Sequence, residues 1–166
     1  MRTALAALVL GLLPIAASGA PRAEQMQPVA ANHSVFVVRH LQKGEGADPS
    51  LTAEGAANAQ QLAAMLKDKG IVAIFATPTR RAMETGAPLA TALGIAVTPY
   101  DPARPAELAA KAAAAAGSVL IVGHSNTVPD LVQLFGGARP APLADGDYGT
   151  VYDVEPDGKV VTAKLR

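Results

Sequence analysis

The chain has 166 residues, half of them hydrophobic and only 4% aromatic, which suits one packed domain with an aliphatic core. Fourteen lysine and arginine residues balance fourteen aspartate and glutamate residues, so no basic excess points to nucleic acid or to an anionic membrane surface as partner. Without cysteine, disulfides and a lipid-modified cysteine are excluded.

Residues 1–20 read as a signal peptide. Arg2 supplies the positive start, Ala4 to Ala17 form a short apolar run broken by Pro14, and Ser18-Gly19-Ala20 offers small residues before a cut. Pro21 disfavours cleavage after Ala20, so cleavage after Ser18 or Ala23 also fits. An uncleaved N-terminal anchor is the alternative, although the run is short for a membrane span. The expectation is an exported, periplasmic domain with no stable membrane insertion once the leader is removed.

Residues 21–33, polar and small with Pro21 and Pro28, are expected to form a flexible lead-in. Ser34–Val38 is a short apolar, β-branched run and predicts a buried strand. A Gly-rich polar loop follows over Lys43–Pro49, and Thr52 can cap a helix from Ala53 to Lys69 that Gly70 ends. Ile71–Ala76 predicts a second strand, Arg80–Leu93 a helix stopped by Gly94, and Ile95–Thr98 a third strand. Ala106–Ala116 is an Ala-rich helix, with Glu107 and Lys111 spaced as a helical pair. Ser118–Val122 predicts the fourth strand and Thr127–Phe135 a short helix that tolerates Pro129 in its first turn. After a Gly/Pro/Ala loop over residues 136–147, Thr150–Glu155 and Lys159–Leu165 read as a hairpin around Pro156-Asp157-Gly158. The alternation implies an α/β sandwich with a largely parallel sheet, to which the C-terminal hairpin adds an antiparallel edge.

The chemistry gathers at strand ends. The first strand runs into Arg39-His40 and the fourth into Gly123-His124, which aims both histidines at the edge of an α/β sheet where ligands bind. Thr77-Pro78-Thr79-Arg80-Arg81 leads from the second strand into a helix, so Arg81 falls in its first turn beside free backbone N–H groups. Arginine forks match phosphate oxygens, and a neutral imidazole is a competent nucleophile near neutral pH. A second imidazole can donate to the charge that builds on a transferring phosphoryl group.

Val37-Val38-Arg39-His40, Thr77-Pro78-Thr79-Arg80-Arg81-Ala82-Met83-Glu84-Thr85 and Val122-Gly123-His124-Ser125-Asn126 resemble the histidine phosphatase (phosphoglycerate mutase-like) superfamily. The resemblance assigns residues 34–166 to one such domain. It implies a three-layer αβα sandwich and metal-independent phosphomonoester hydrolysis, with His40 as the nucleophile that forms a phosphohistidine. It also implies that Arg39, Arg81 and His124 complete the phosphate pocket, and that no cofactor or metal is needed. Family members often carry an acid after the third strand. Asp101 stands there as the expected general acid, with Glu107 the next candidate. Two residues depart from the family pattern. Leu41 replaces the usual glycine or alanine after the nucleophile, where a bulky side chain is expected to alter the turn or narrow the entrance. Gln42 stands where many members have an acid.

Each of these residues also has a purely structural reading. Single histidines at strand ends are often satisfied core residues, and the catalytic reading rests on two of them meeting two arginines. Arg80 is expected on the helix surface and His33 in the solvated lead-in, far from His40. Ser125 and Asn126 either contact phosphate or cap the next helix, and Tyr148 and Tyr152 are expected to be strand and hairpin residues. Three functions compete: a phosphatase, a phosphate-binding module without turnover (suggested by Leu41 and the unsettled acid), and a mutase acting on a phosphorylated sugar acid. The short segment between Arg81 and His124 leaves little to enclose an intermediate, which ranks the mutase last. The expected partner is a phosphorylated small molecule or a phosphoprotein.

Overall fold

The computed structural model describes residues 28, 29 and 31–166. In chain order the elements are β1 (Val35–Arg39), α1 (Ala53–Leu66), β2 (Ile71–Ala76), α2 (Arg80–Leu93), β3 (Val97–Pro99), α3 (Pro105–Ala113), β4 (Ser118–Gly123), α4 (Val128–Leu134), β5 (Thr150–Val154) and β6 (Val160–Lys164). The expected leader over residues 1–20, residues 21–27 and residue 30 lie outside the described residues.

The strands form one sheet in the order β3-β2-β4-β1-β5-β6. The four strands from β3 to β1 run parallel, and β5 and β6 add the expected antiparallel edge. β1 and β4 lie in the middle, which explains why they read as unbroken apolar runs: helices cover both of their faces. Val35 and Val37 of β1, with Val119 and Ile121 of β4, face α3 and α4. Their neighbours Phe36, Val38, Leu120 and Val122 face α1 and α2. The result is a three-layer αβα sandwich, as expected.

Boundaries moved where local propensity competed with the sheet. β3 begins at Val97 rather than Ile95, because only residues 97–99 pair with β2. The Ala-rich α3 ends at Ala113, three residues short of Ala116, where the chain turns back to enter β4. The end of the lead-in is not loose. The Val29 N–H donates to the Leu134 carbonyl at 2.9 Å, Ala31 is buried, and His33 Nε2 donates to the Ala112 carbonyl at 3.1 Å. His33 is thereby fastened to α3.

Thr52 caps α1 as its side chain accepts from the Gly55 N–H at 3.1 Å. The Gln42 carbonyl in turn accepts the Thr52 N–H at 2.9 Å, so the first turn of α1 is pressed against the chain just after His40. Only glycine permits this approach at position 55, since an added Cβ would collide with the Gln42 carbonyl oxygen. Gly55→Ala is therefore expected to lower stability by about 1–3 kcal/mol, the usual range for forcing atoms into a packed contact. Urea unfolding of the variant beside the unaltered chain measures it, and an unchanged midpoint would show that α1 can shift without cost.

Candidate active site

Register places the two histidines. Arg39 of β1 is paired with Gly123 of β4, and the His40 N–H continues the ladder to the Gly123 carbonyl at 2.9 Å. His40 and His124, the next residue on each strand, stand with ring centroids 5.2 Å apart, edge to face. β2 ends at the same level, because the Thr77 N–H donates to the Val122 carbonyl at 3.3 Å. After these strands the chain departs to opposite faces, β1 toward α1 and β4 toward α4. The crevice this opens at the carboxyl ends is where α/β sheets hold ligands. Gly123 keeps that junction narrow, since a Cβ there would lie 2.8 Å from Thr127 Oγ1.

His40 is buried, and its Nδ1 lies 2.9 Å from the Leu41 carbonyl. A carbonyl only accepts, so Nδ1 carries the proton and Nε2 presents its lone pair. The Leu41 N–H is itself fixed by Thr85 Oγ1 at 3.0 Å, and that hydroxyl donates to the Arg81 carbonyl at 2.8 Å. One buried threonine thus ties the peptide that orients His40 to the helix turn that carries Arg81. Leu41 itself does not narrow the entrance. Its side chain is fully buried in the α1/α2 core, and among the described residues no residue other than glycine has a positive φ, so its backbone needs no glycine. Gln42 also turns away: its side-chain amide donates to Glu54 at 2.9 Å, and its oxygen accepts from Asn58 at 3.0 Å.

His124 Nε2 lies 2.8 Å from Thr77 Oγ1, and Thr79 Oγ1 is 3.3 Å beyond. The Thr77 hydroxyl can donate to a neutral His124, or accept from a protonated one while turning its own proton toward Thr79. Ser125 and Asn126 are not the helix cap. Thr127 holds the N-cap position, but its hydroxyl makes no cap bond to α4 and instead accepts the His124 N–H at 2.9 Å.

Arg39 is buried, with Nη1 held by the Ala144 and Asp147 carbonyls at 2.7 and 3.3 Å. Arg81 reaches the Asp48 carboxylate at 3.5 Å, and Asp48 also accepts the Arg80 N–H at 3.0 Å. The Nε atoms of both arginines are buried without a hydrogen-bond partner. Guanidinium donors left without a protein partner suit an anion. Arg80 itself is exposed, 3.9 Å from Glu84, on the helix surface as expected.

Burial, the neighbouring His124 and the charges of Arg81 and Arg39 together push His40 down to about 4, against the Leu41 hydrogen bond that favours its protonated form. Burial, then Arg81 and Arg39, lower His124 as well. Both imidazoles are therefore neutral near pH 7.

Asp101 does not join this group. Its carboxylate accepts the Ala103 N–H at 2.9 Å and pairs with Arg104 at 3.0 Å, opening the turn before α3. Those bonds hold its carboxyl below the usual carboxylate range. Glu107 binds the same Arg104 at 2.9 Å. Tyr148, expected in a strand, instead precedes β5, and its ring stands 5.9 Å from that of His40. No local pattern could have shown this, because its partners lie more than a hundred residues away. Among the described residues no group of three or more histidine, aspartate or glutamate side chains is arranged to hold a metal ion.

The sequence from residue 30 to 104 matches the histidine phosphatase superfamily (branch 1). No protein of curated function matches the sequence. Among solved structures the chain is similar to the protein histidine phosphatase SixA complexed with tungstate, at 21% identity and a TM-score of 0.60, over 78% of this chain and 94% of that one. It is also similar to a mycobacterial glucosyl-3-phosphoglycerate phosphatase, at 13% identity and 0.59, over 80% and 97% of the two chains. Bacillus stearothermophilus YhfR matches at 17% identity and 0.59, over 80% and 96%. At such identities these likenesses establish the fold.

Two outcomes follow from the geometry. Thr85→Val keeps the shape but leaves the buried Leu41 N–H unpaired, so it is expected to cost about 1–3 kcal/mol in urea unfolding, with Thr85→Ser near the original. The depressed His40 value also fixes a pH window. Between 6.5 and about 4 the unfolded chain takes up a proton that the folded site refuses, so stability is full above pH 6.5 and is lost as pH falls toward 4. His40→Asn should flatten part of that fall; an unaltered profile in the variant would mean His40 is not held neutral by the fold.

Proposed function

We propose that this chain is a member of the histidine phosphatase superfamily, whose model matches residues 30–104, and that it hydrolyses phosphomonoesters through a covalent phosphohistidine on His40. The observation that carries the reading is the fixed tautomer of His40. With Nδ1–H on the Leu41 carbonyl, the Nε2 lone pair stands free beside two arginines whose buried Nε donors lack partners. In this reading Arg39 and Arg81 hold the non-bridging phosphate oxygens and His124 donates to the phosphoryl group as charge builds on it. His40 Nε2 attacks phosphorus in line, the P–O bond breaks and the leaving oxygen takes the electron pair. Water then attacks the phosphorus, the N–P bond breaks, and inorganic phosphate and free His40 result.

The leaving group needs a proton unless it is a weak base. Asp101 was expected to supply it, yet its bonds to Ala103 and Arg104 favour the ionised form, and Glu107 shares that arginine. The reading therefore favours substrates whose leaving group departs without help from a carboxylic acid, such as an aryl oxide or a neutral imidazole. Phosphohistidine is the substrate in the name of SixA, which has this fold. Phosphorylated protein side chains and small esters of low leaving-group basicity are the proposed substrates, and the proposed setting is the periplasm, following the leader-like residues 1–20.

The test is hydrolysis of p-nitrophenyl phosphate with chelator present. The unaltered protein should turn over and form an acid-labile phosphoprotein, and His40→Ala should lose about a thousandfold or more. On an alkyl ester such as glycerol 2-phosphate, whose leaving group does need a proton, Asp101→Asn should change the rate by less than about threefold, well under the usual effect of removing a general acid. Phosphate binding with no turnover of any ester would mark a binding module instead, and a large Asp101→Asn loss would restore that residue as the acid.

A further inference from the structure

The segment after α4 had no expected role, yet it closes on Arg39. Both N–H bonds of Arg39 Nη1 are taken by carbonyls of one short turn, Ala144 at 2.7 Å and Asp147 at 3.3 Å. The turn is locked internally. Asp147 Oδ2 accepts the Ala144 N–H at 2.7 Å, and the Asp147 N–H donates to the Ala144 carbonyl at 3.0 Å. The guanidinium carbon lies 4.2 Å from the centre of the Tyr148 ring, the next residue. What these contacts leave without a protein partner is the edge formed by Nε and Nη2, and Nε is buried.

A guanidinium can meet a phosphate by its end or by its side, and only a plane held against rotation selects one. We propose that the turn Ala144–Tyr148 is a positioning clasp for Arg39: its carbonyls occupy the end of the fork, the Tyr148 ring holds the plane, and the Nε/Nη2 side is left to take two oxygens of the phosphoryl group. The clasp uses the ring face of Tyr148 and not its hydroxyl. It rests on the phosphatase reading of the site, because it assigns Arg39 a phosphoryl ligand. Gly149, with φ of 78°, then turns the chain into β5, so the clasp is seated on the C-terminal hairpin.

The experiment is calorimetric binding of inorganic phosphate to the full chain, with aryl phosphate kinetics beside it. Tyr148→Phe should bind within about twofold of the unaltered protein, whereas Tyr148→Leu should bind about tenfold more weakly, the scale of a partly desolvated cation–π contact. In an Arg39→Gln background the Tyr148→Leu effect should shrink below about twofold, since the ring acts through the arginine. Asp147→Ala, an exposed change that frees the turn without touching the core, should weaken phosphate several-fold and serves if Tyr148→Leu does not fold. Unchanged phosphate affinity in Tyr148→Leu and Asp147→Ala, or an equal loss with and without Arg39, would overturn the clasp while leaving the phosphatase reading intact. Failure of the unaltered protein to bind phosphate or hydrolyse any ester would overturn both.

Discussion

The site depends on one pairing, that of β1 with β4 in the register that sets Arg39 opposite Gly123. Parallel neighbours bring their carboxyl ends to a common edge, and this register carries the two histidines out of the sheet side by side. A slip of one residue would turn one imidazole to the other face and bury its outward neighbours' partners in the wrong layer. The slip is resisted because each strand is apolar on both sides and fills two separate cores at once.

Around that pairing the charges are arranged in one sense. Burial first, and the two guanidinium groups after it, push the buried His40 and the half-buried His124 toward the neutral form. Neutrality gives His40 its lone pair, and the Leu41 carbonyl decides which nitrogen exposes it. Carboxylates stay outside: Asp48 caps α2 and touches Arg81, while Asp101 and Glu107 are held by Arg104. A dianion entering the crevice meets donors without competition from an anion at Arg39, whose Nη1 faces only carbonyls.

Much of this was legible before the structure. The central strands announced themselves because burial on both faces leaves an unbroken apolar run, and the strand ends placed His40, His124 and Arg81 on a shared edge. What escaped was decided by direction or by distance. Asp101 lies after β3 as expected, but its side chain belongs to Arg104 three residues on, a local pairing that the sequence did contain. Leu41 looked like an obstruction until the backbone turned it inward. Tyr148 and the turn before it could not be read at all. Their partner Arg39 is more than a hundred residues away, and contacts of that kind leave no periodicity.

The burial of Leu41 has a consequence for the steadiness of the site. Its carbonyl steers the His40 ring, while its side chain is packed among Leu62, Leu66 and their neighbours in the α1/α2 layer. The imidazole is thus mounted on a core residue instead of on a surface turn free to breathe by itself. Any local opening of this layer is therefore carried to the ring through the Leu41 peptide. The geometry of such a site is as steady as the close-packed aliphatic interior to which it is bolted.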